Sequence, residues 1–155
     1  MKKEKQYWLM KTEPMSYSID DLKRDRKTAW SGVRNYQARN FMRDDMQVGD
    51  GVLFYHSSCK EPGVYGLARV NSKSYPDPTQ FEKGGMYYEP RATKEKPMWF
   101  LVDVAFEKKF KEGVSIRALR EHKDLRGLRM LELGSRLSIT PVTQKEFETV
   151  ALLAV

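Results

Sequence analysis

Apolar positions change spacing several times along the chain, and the changes divide it into short elements. "YWLMK" (7–11) is a compact apolar run that predicts a first strand ending near Pro14. Ser16 and Ser18 precede "IDDLKRD", read as a short helix whose Asp20 and Asp21 cap its first turn, where the helix dipole favours negative charge. From Asn35, an expected N-cap, Ala38, Phe41, Met42 and Asp45 fall at i, i+3, i+4 spacing, which predicts a short amphipathic helix. Gly32 marks Trp30–Arg34 as a loop before it. A turn at Val48–Gly51 leads into an apolar strand, Val52–Tyr55. "KEPG" then places Pro62 and Gly63 at the central positions of a type II turn, and "VYGLARVNSKSY" is the partner strand. Gly51–Tyr75 therefore reads as a hairpin-like pair.

Tyr75–Pro97 has no periodicity and carries Pro76, Pro78, Gly84, Gly85, Pro90 and Pro97; a loop of this length in a compact domain is functional or mobile. "MWFLVDVAFEKKF" is the longest strand expected. Alternation puts Phe100, Val102, Val104 and Phe106 on its core side and Trp99, Leu101, Asp103 and Ala105 on the other. Ser115 caps "IRALREHKDL". "RLSITPV" is a last strand closed by Pro141. Thr143 and Glu146 form a capping box that opens "QKEFETVALLA". Short strands with helices between them predict a small curved sheet or partly closed barrel with helices packed outside, an α+β fold.

Composition narrows the function. The 155 residues suit one domain spanning 1–155, large enough to bury roughly 70% of the surface of the unfolded chain. The chain carries 28 Lys and Arg against 21 Asp and Glu, a formal charge of +7, and favours a polyanionic partner such as nucleic acid. Cys59 is the single cysteine, so no internal disulfide forms, consistent with a reducing compartment. The apolar run at Tyr7–Met10 falls short of the roughly 7–15 residues of a signal peptide, and no stretch approaches a membrane span. These features predict a soluble cytoplasmic protein with no membrane partner.

The catalytic constellations are weak. In "YHSSC", His56 and Cys59 are local neighbours rather than a nucleophile and a base brought from distant parts of the chain. Two histidines and one cysteine supply no standard zinc set, and Asp77, Glu82 and Glu89 lack calcium-loop spacing. No metal or cofactor is expected. Base recognition, by contrast, needs flat faces for stacking and side chains that hydrogen-bond to base edges. Trp30, Arg34, Asn35, Tyr36 and Arg39 bring those types together. Each also has a plainer reading: Trp30 and Tyr36 as core packing, Arg39 and Arg43 as one solvated helix face.

"WLMKTEP", "WSGVRNYQARNFM", "FYHSSCKEPGVYGLARV", "YPDPTQFE", "MWFLVDVAF" and "RLSITPVTQKEF" occur here in an order that resembles the EVE domain family, from about Tyr7 to the C-terminal helix. That family includes small bacterial proteins and the thymocyte nuclear protein type. The resemblance implies a PUA-like pseudo-barrel related to the YTH domain, and a reader of a modified cytosine or adenine in DNA or RNA that performs no catalysis. Position by position, it implies a pocket mouth at Lys11, Thr12 and Glu13, a stacking wall at Trp30, and a lining of Val33, Arg34, Asn35 and Tyr36. His56 and Ser57 would offer hydrogen bonds, Tyr75, Pro76 and Asp77 would begin a lid, and Arg136, Leu137 and Ser138 would approach from the last strand. Asn35, Ser57 and the backbone near Thr12 would select the base, with Glu13 accepting from an exocyclic amine. Arg39, Arg43 and Lys60 would contact phosphates, while Trp99 belongs to the core. Two alternatives stand beside this reading. One is a nucleotide- or RNA-processing enzyme using His56, Glu13 and Arg136. The other is a specificity subunit with a protein partner at Tyr87 and Tyr88.

Overall fold

The computed structural model describes residues 4–131 and 137–154. In chain order these form β1 (Tyr7–Thr12), α1 (Ile19–Asp25), β2 (Lys27–Ala29), α2 (Tyr36–Asn40), β3 (Gly51–His56), β4 (Gly63–Val70), β5 (Tyr75–Pro76), β6 (Phe100–Leu101), β7 (Asp103–Ser115), α3 (Ile116–Glu121), β8 (Ile139–Val142) and α4 (Gln144–Leu153). Six strands make one mixed sheet in the order β2-β7-β4-β3-β1-β8, and β5 and β6 pair separately. β1 and β3 run parallel, with Leu9 opposite Leu53, and the other neighbours are antiparallel. Register shifts in β3/β4 at Phe54/Tyr55, and in β4/β7 at Val64/Gly66 and Leu67/Ala68, bend the strands and curl the sheet into an α+β half-barrel.

Both faces of this sheet are covered, which explains why β3 is a continuous apolar run and not an alternating one. Trp8, Met10, Val52 and Phe54 point into one core with Ile19, Leu22, Trp30 and Met42. Leu9, Leu53 and Tyr55 point into the other with Leu119, Leu125 and Val150. Buried Asp50, in the turn before β3, accepts from Gln6 N, Gln47 N and the Trp8 indole N–H at 3.0–3.1 Å, knotting that turn to β1.

The helix starts follow their caps. The Ser18 and Thr143 side chains accept from Asp21 N and Glu146 N, and both carboxylates reach back to complete capping boxes. Ser115 and Asn35 cap α3 and α2.

Several expected elements differ. Gly63 has no left-handed φ and begins β4, so no type II turn forms there. A Cβ at Gly63 would strike the Val114 carbonyl oxygen, so close strand approach is what requires the glycine. The partner strand stops at Val70, not Tyr75. The expected long strand breaks at Val102, whose carbonyl accepts from Trp30 N at 3.0 Å. Phe100–Leu101 pair with β5, and the strand resumes at Asp103 and runs on to Ser115. That switch changes the faces: Trp99, Leu101 and Ala105 are buried along with Val102 and Val104, while Phe100 and Phe106 are only half-buried. α2 passes after one turn into a π-helical turn at Phe41–Asp45, closed by Met46 N to Phe41 O. α3 ends at Glu121 and is followed by a 3₁₀ turn, Lys123–Leu125. β2, unforeseen, gains its pairing from β7.

Candidate nucleic-acid interface

A cavity of about 450 Å³ opens beside the end of β1, within the size range of small-ligand pockets. Lys11 and Thr12 come from β1, Ser16 and Tyr17 from the turn after it, and Thr28 and Ala29 from β2. Trp30 to Arg34, Tyr87 and Ser138 complete the lining.

Local hydrogen bonds shape the walls. Glu13 O accepts from Ser16 N and Tyr17 N, turning the chain so that Thr12 Oγ1 donates to Tyr17 O at 3.1 Å. Lys11 N donates to Ser138 O at 2.8 Å, which brings the start of β8 to the rim. Gly32 has φ +82°, and a Cβ there would lie 2.8 Å from ring carbons of Tyr87, so glycine is required both for the turn and for the tyrosine above it. Trp30 is 6% exposed and packs edge-on against Phe54, at 5.7 Å between ring centroids. It is therefore core and cavity wall at once. Its indole N–H has no hydrogen-bond partner among the described residues, and neither have the hydroxyls of Ser16, Ser31 and Ser138.

Arg34 and Asp77 hold the loop from behind. Asp77, 1% exposed, accepts from Gly32 N, from Thr79 N and Oγ1, and from Arg34 at 3.2 Å. Burial raises its pKa, but the hydrogen bonds from Thr79, Gly32 and Arg34 outweigh burial and hold the carboxyl below its ordinary value. Arg34 also donates to Val33 O, Thr79 Oγ1 and Tyr87 O. Its guanidinium lies 5.2 Å from the Tyr87 ring and 5.1 Å from that of Trp99. Trp99, buried as expected, stacks in turn on Tyr36, at 5.0 Å and 19°.

Among the described residues no carboxylate lines the cavity. Its charged residues among those described are Arg34, neutralised by Asp77, and half-buried Lys11, whose ammonium lies 5.7 Å from the Tyr55 ring and is pushed down in pKa by burial. The wall thus offers hydroxyls and an N–H, and suits a flat ligand rich in acceptors.

Of the residues expected at the pocket, the structure gathers Lys11, Thr12, Trp30, Val33, Arg34 and Ser138. Arg136 lies outside the described residues. The others stand back from the cavity lining, each for an identifiable reason. The side-chain oxygen of Asn35 is committed to Ala38 N as the helix cap, and Tyr36 faces outward on Trp99. Glu13 is exposed in its turn. His56 is buried, its ring 4.4 Å from that of Tyr65, and its Nε2 accepts from Ile19 N at 3.1 Å. Ser57 N donates to Thr12 O, which ties its loop to β1. Tyr75 and Pro76 are strand residues and no lid; the Tyr75 hydroxyl donates to Asp103 at 2.6 Å, and burial with that carboxylate pushes the phenol up to about 12. Asp77 supports the wall without reaching the surface, and Leu137 is half-buried beside Ser138.

Of the expected phosphate contacts, Lys60 is exposed. Arg43 pairs with Asp44 at 2.8 Å, and Arg39 donates to Met98 O and Asn40.

Sequence reasoning missed Ser16, Tyr17, Thr28, Ala29, Ser31, Gly32 and Tyr87 as lining residues. Gly32 read only as a loop marker, and Tyr87 as one of an exposed pair for a protein partner. No local pattern connects Tyr87 with Gly32, because they meet only through the fold.

The EVE domain family model matches residues 6–153. This chain belongs to the EVE domain family. Human thymocyte nuclear protein 1 is 44% identical over 165 residues, covering 95% of this EVE domain and 73% of the human protein. Among solved structures, a hypothetical protein from Leishmania major superposes with a TM-score of 0.92 at 43% identity, covering 97% of this chain and 95% of its own. The human THYN1 protein, crystallised in complex with DNA containing 5-methylcytosine, superposes with a TM-score of 0.88 at 40% identity, covering 96% and 97% of the two chains.

Proposed function

We propose that this EVE domain reads a modified base in DNA, in the first instance a modified cytosine, by holding it in the cavity beside Trp30 and catalysing nothing. The observation that carries the reading is the aromatic and hydroxyl-lined cavity, free of carboxylates among the described residues, in a basic chain whose human relative was crystallised with 5-methylcytosine DNA. A base taken out of the stack needs a snug, water-poor pocket. Trp30 and Tyr87 supply flat apolar walls, and the Trp30 N–H with the Ser31 and Ser138 hydroxyls supplies edge contacts. An added methyl in such a pocket is worth only about 1–3 kcal/mol, so discrimination between cytosine and its modified form is expected at roughly 10- to 200-fold. His56 carries no acid–base role in this reading, because its Nε2 is taken by the α1 backbone.

The test compares binding of duplexes that differ only in one cytosine, unmodified or 5-methylated, with matched RNA as a further arm. The wild type is expected to prefer the modified DNA. Trp30→Phe, which keeps the apolar bulk and removes the N–H, and Tyr87→Ala, which opens the rim, are expected to lower that preference at least several-fold while the protein stays folded. An unchanged preference in both variants would remove the cavity from the reading.

A further inference from the structure

We infer that Tyr36 is a second stacking platform, outside the cavity, for the base next to the one the cavity holds. The inference rests on the reading of the cavity as a base site, but its observations are separate. Tyr36 is 50% exposed, although its ring stacks on a tryptophan that is 4% exposed. The contacts around it show which face is open. Arg39 lies 4.8 Å from the Tyr36 ring and 5.7 Å from the Trp99 ring, and the two rings are 5.0 Å apart. Three nearly equal distances put the guanidinium beside the ring pair, not on the outer face of Tyr36. Arg91 meets the Tyr36 hydroxyl at the edge of the ring, and the half of the ring turned away from Trp99 accounts for its exposure.

The platform is rigid and already charged for its ligand. Tyr36 is the first residue of α2, placed there by the Asn35 cap. Arg39 is fixed by Met98 O and Asn40 Oδ1, both at 2.8 Å, and forms no ion pair with a carboxylate among the described residues. An aromatic face held from behind, with an unpaired guanidinium at its flank, suits a base and its phosphate. Cavity and platform are also connected: Tyr87 and Arg34 line the cavity, Arg34 lies against Trp99, and Trp99 carries Tyr36. The occupant fitted to this placement is the unpaired neighbour on the same strand, of any base identity, since stacking tolerates every base.

The test uses duplexes with a central 5-methylcytosine and 2-aminopurine as its 5′ or 3′ neighbour, set opposite an abasic site. Wild type and Tyr36→Phe are expected to quench the probe in one of the two positions. Tyr36→Ala and Tyr36→Ser are expected to leave it bright and to bind roughly tenfold more weakly, or worse. Unfolding midpoints of all variants, read alongside, separate a lost platform from a lost fold. Quenching that is independent of Tyr36 in both positions overturns the inference, even where methyl preference persists. Tyr36-dependent quenching that is equal for cytosine and 5-methylcytosine keeps the platform and sinks the cavity reading. Absence of binding to any of the duplexes sinks both.

Discussion

Asp77 gathers Gly32 N, Arg34 and Thr79 around one buried carboxylate, and so shapes a cavity wall it does not line. Its removal leaves the Gly32 N–H without its acceptor and takes from Arg34 its carboxylate partner, a loss of the kind that costs about 3 kcal/mol. Asp77→Ala is therefore expected to lower stability by about that amount in urea unfolding and to loosen Tyr87 from Gly32. A change under about 1 kcal/mol would mean that water replaces the carboxylate. At this scale the side-chain types were readable in the sequence, but their assignments were not. Asn35 was expected both to cap a helix and to select a base; the structure gives its oxygen to the cap.

Element boundaries follow local chemistry wherever that chemistry is local. The Thr143–Glu146 capping box and the Ser115 cap were legible because donor and acceptor lie three residues apart, whereas at α1 the acidic first turn was read and the Ser18–Asp21 box was not. α1 adds one long-range feature, since its first N–H donates to His56 from β3. That bond needs a neutral imidazole with its proton on Nδ1. Burial pushes the His56 pKa below the ordinary value of about 6.5, with Asp20 opposing weakly. The folded state thus binds the proton less readily than the unfolded chain. Its contribution to stability is full above about pH 6.5 and is lost as pH falls through the depressed folded value. The stability advantage of wild type over His56→Gln is expected to shrink between pH 7.5 and pH 5 in urea titrations. Parallel curves for the two proteins would separate α1 from the titration of His56. The Val102 break and β2 had no such local marker: each exists because a distant backbone group, Trp30 N or β7, claims a hydrogen bond.

Across the whole molecule, the charge of +7 governs how strongly a polyanion is held, and not which base is chosen. Each phosphate neutralised steepens the fall of log K with log salt by about 0.9. Lys60 is exposed, makes no ion pair among the described residues, and sits on the loop that Ser57 ties to Thr12 at the cavity. Lys60→Ala is expected to reduce the salt slope by about 1 and leave the methyl preference intact. Arg43→Ala should change the slope less, because Asp44 already offsets that charge. Equal slopes for wild type and Lys60→Ala in a salt titration would remove Lys60 from the phosphate path.

By itself the sequence determined the succession of strands and helices apart from β2 and the β5–β6 pair, most of the caps, the basic balance and, through long motifs, the family. These are properties of neighbouring residues, or of counts that folding does not alter. The tertiary structure alone decided the sheet order, the break in the long strand and the contents of the cavity. Those depend on segments far apart in the chain meeting at hydrogen-bond distance, as Gly32 meets Asp77, 45 residues away, and packs beneath Tyr87. Periodicity reports which face a residue turns inward; it carries no information about which distant residue waits there.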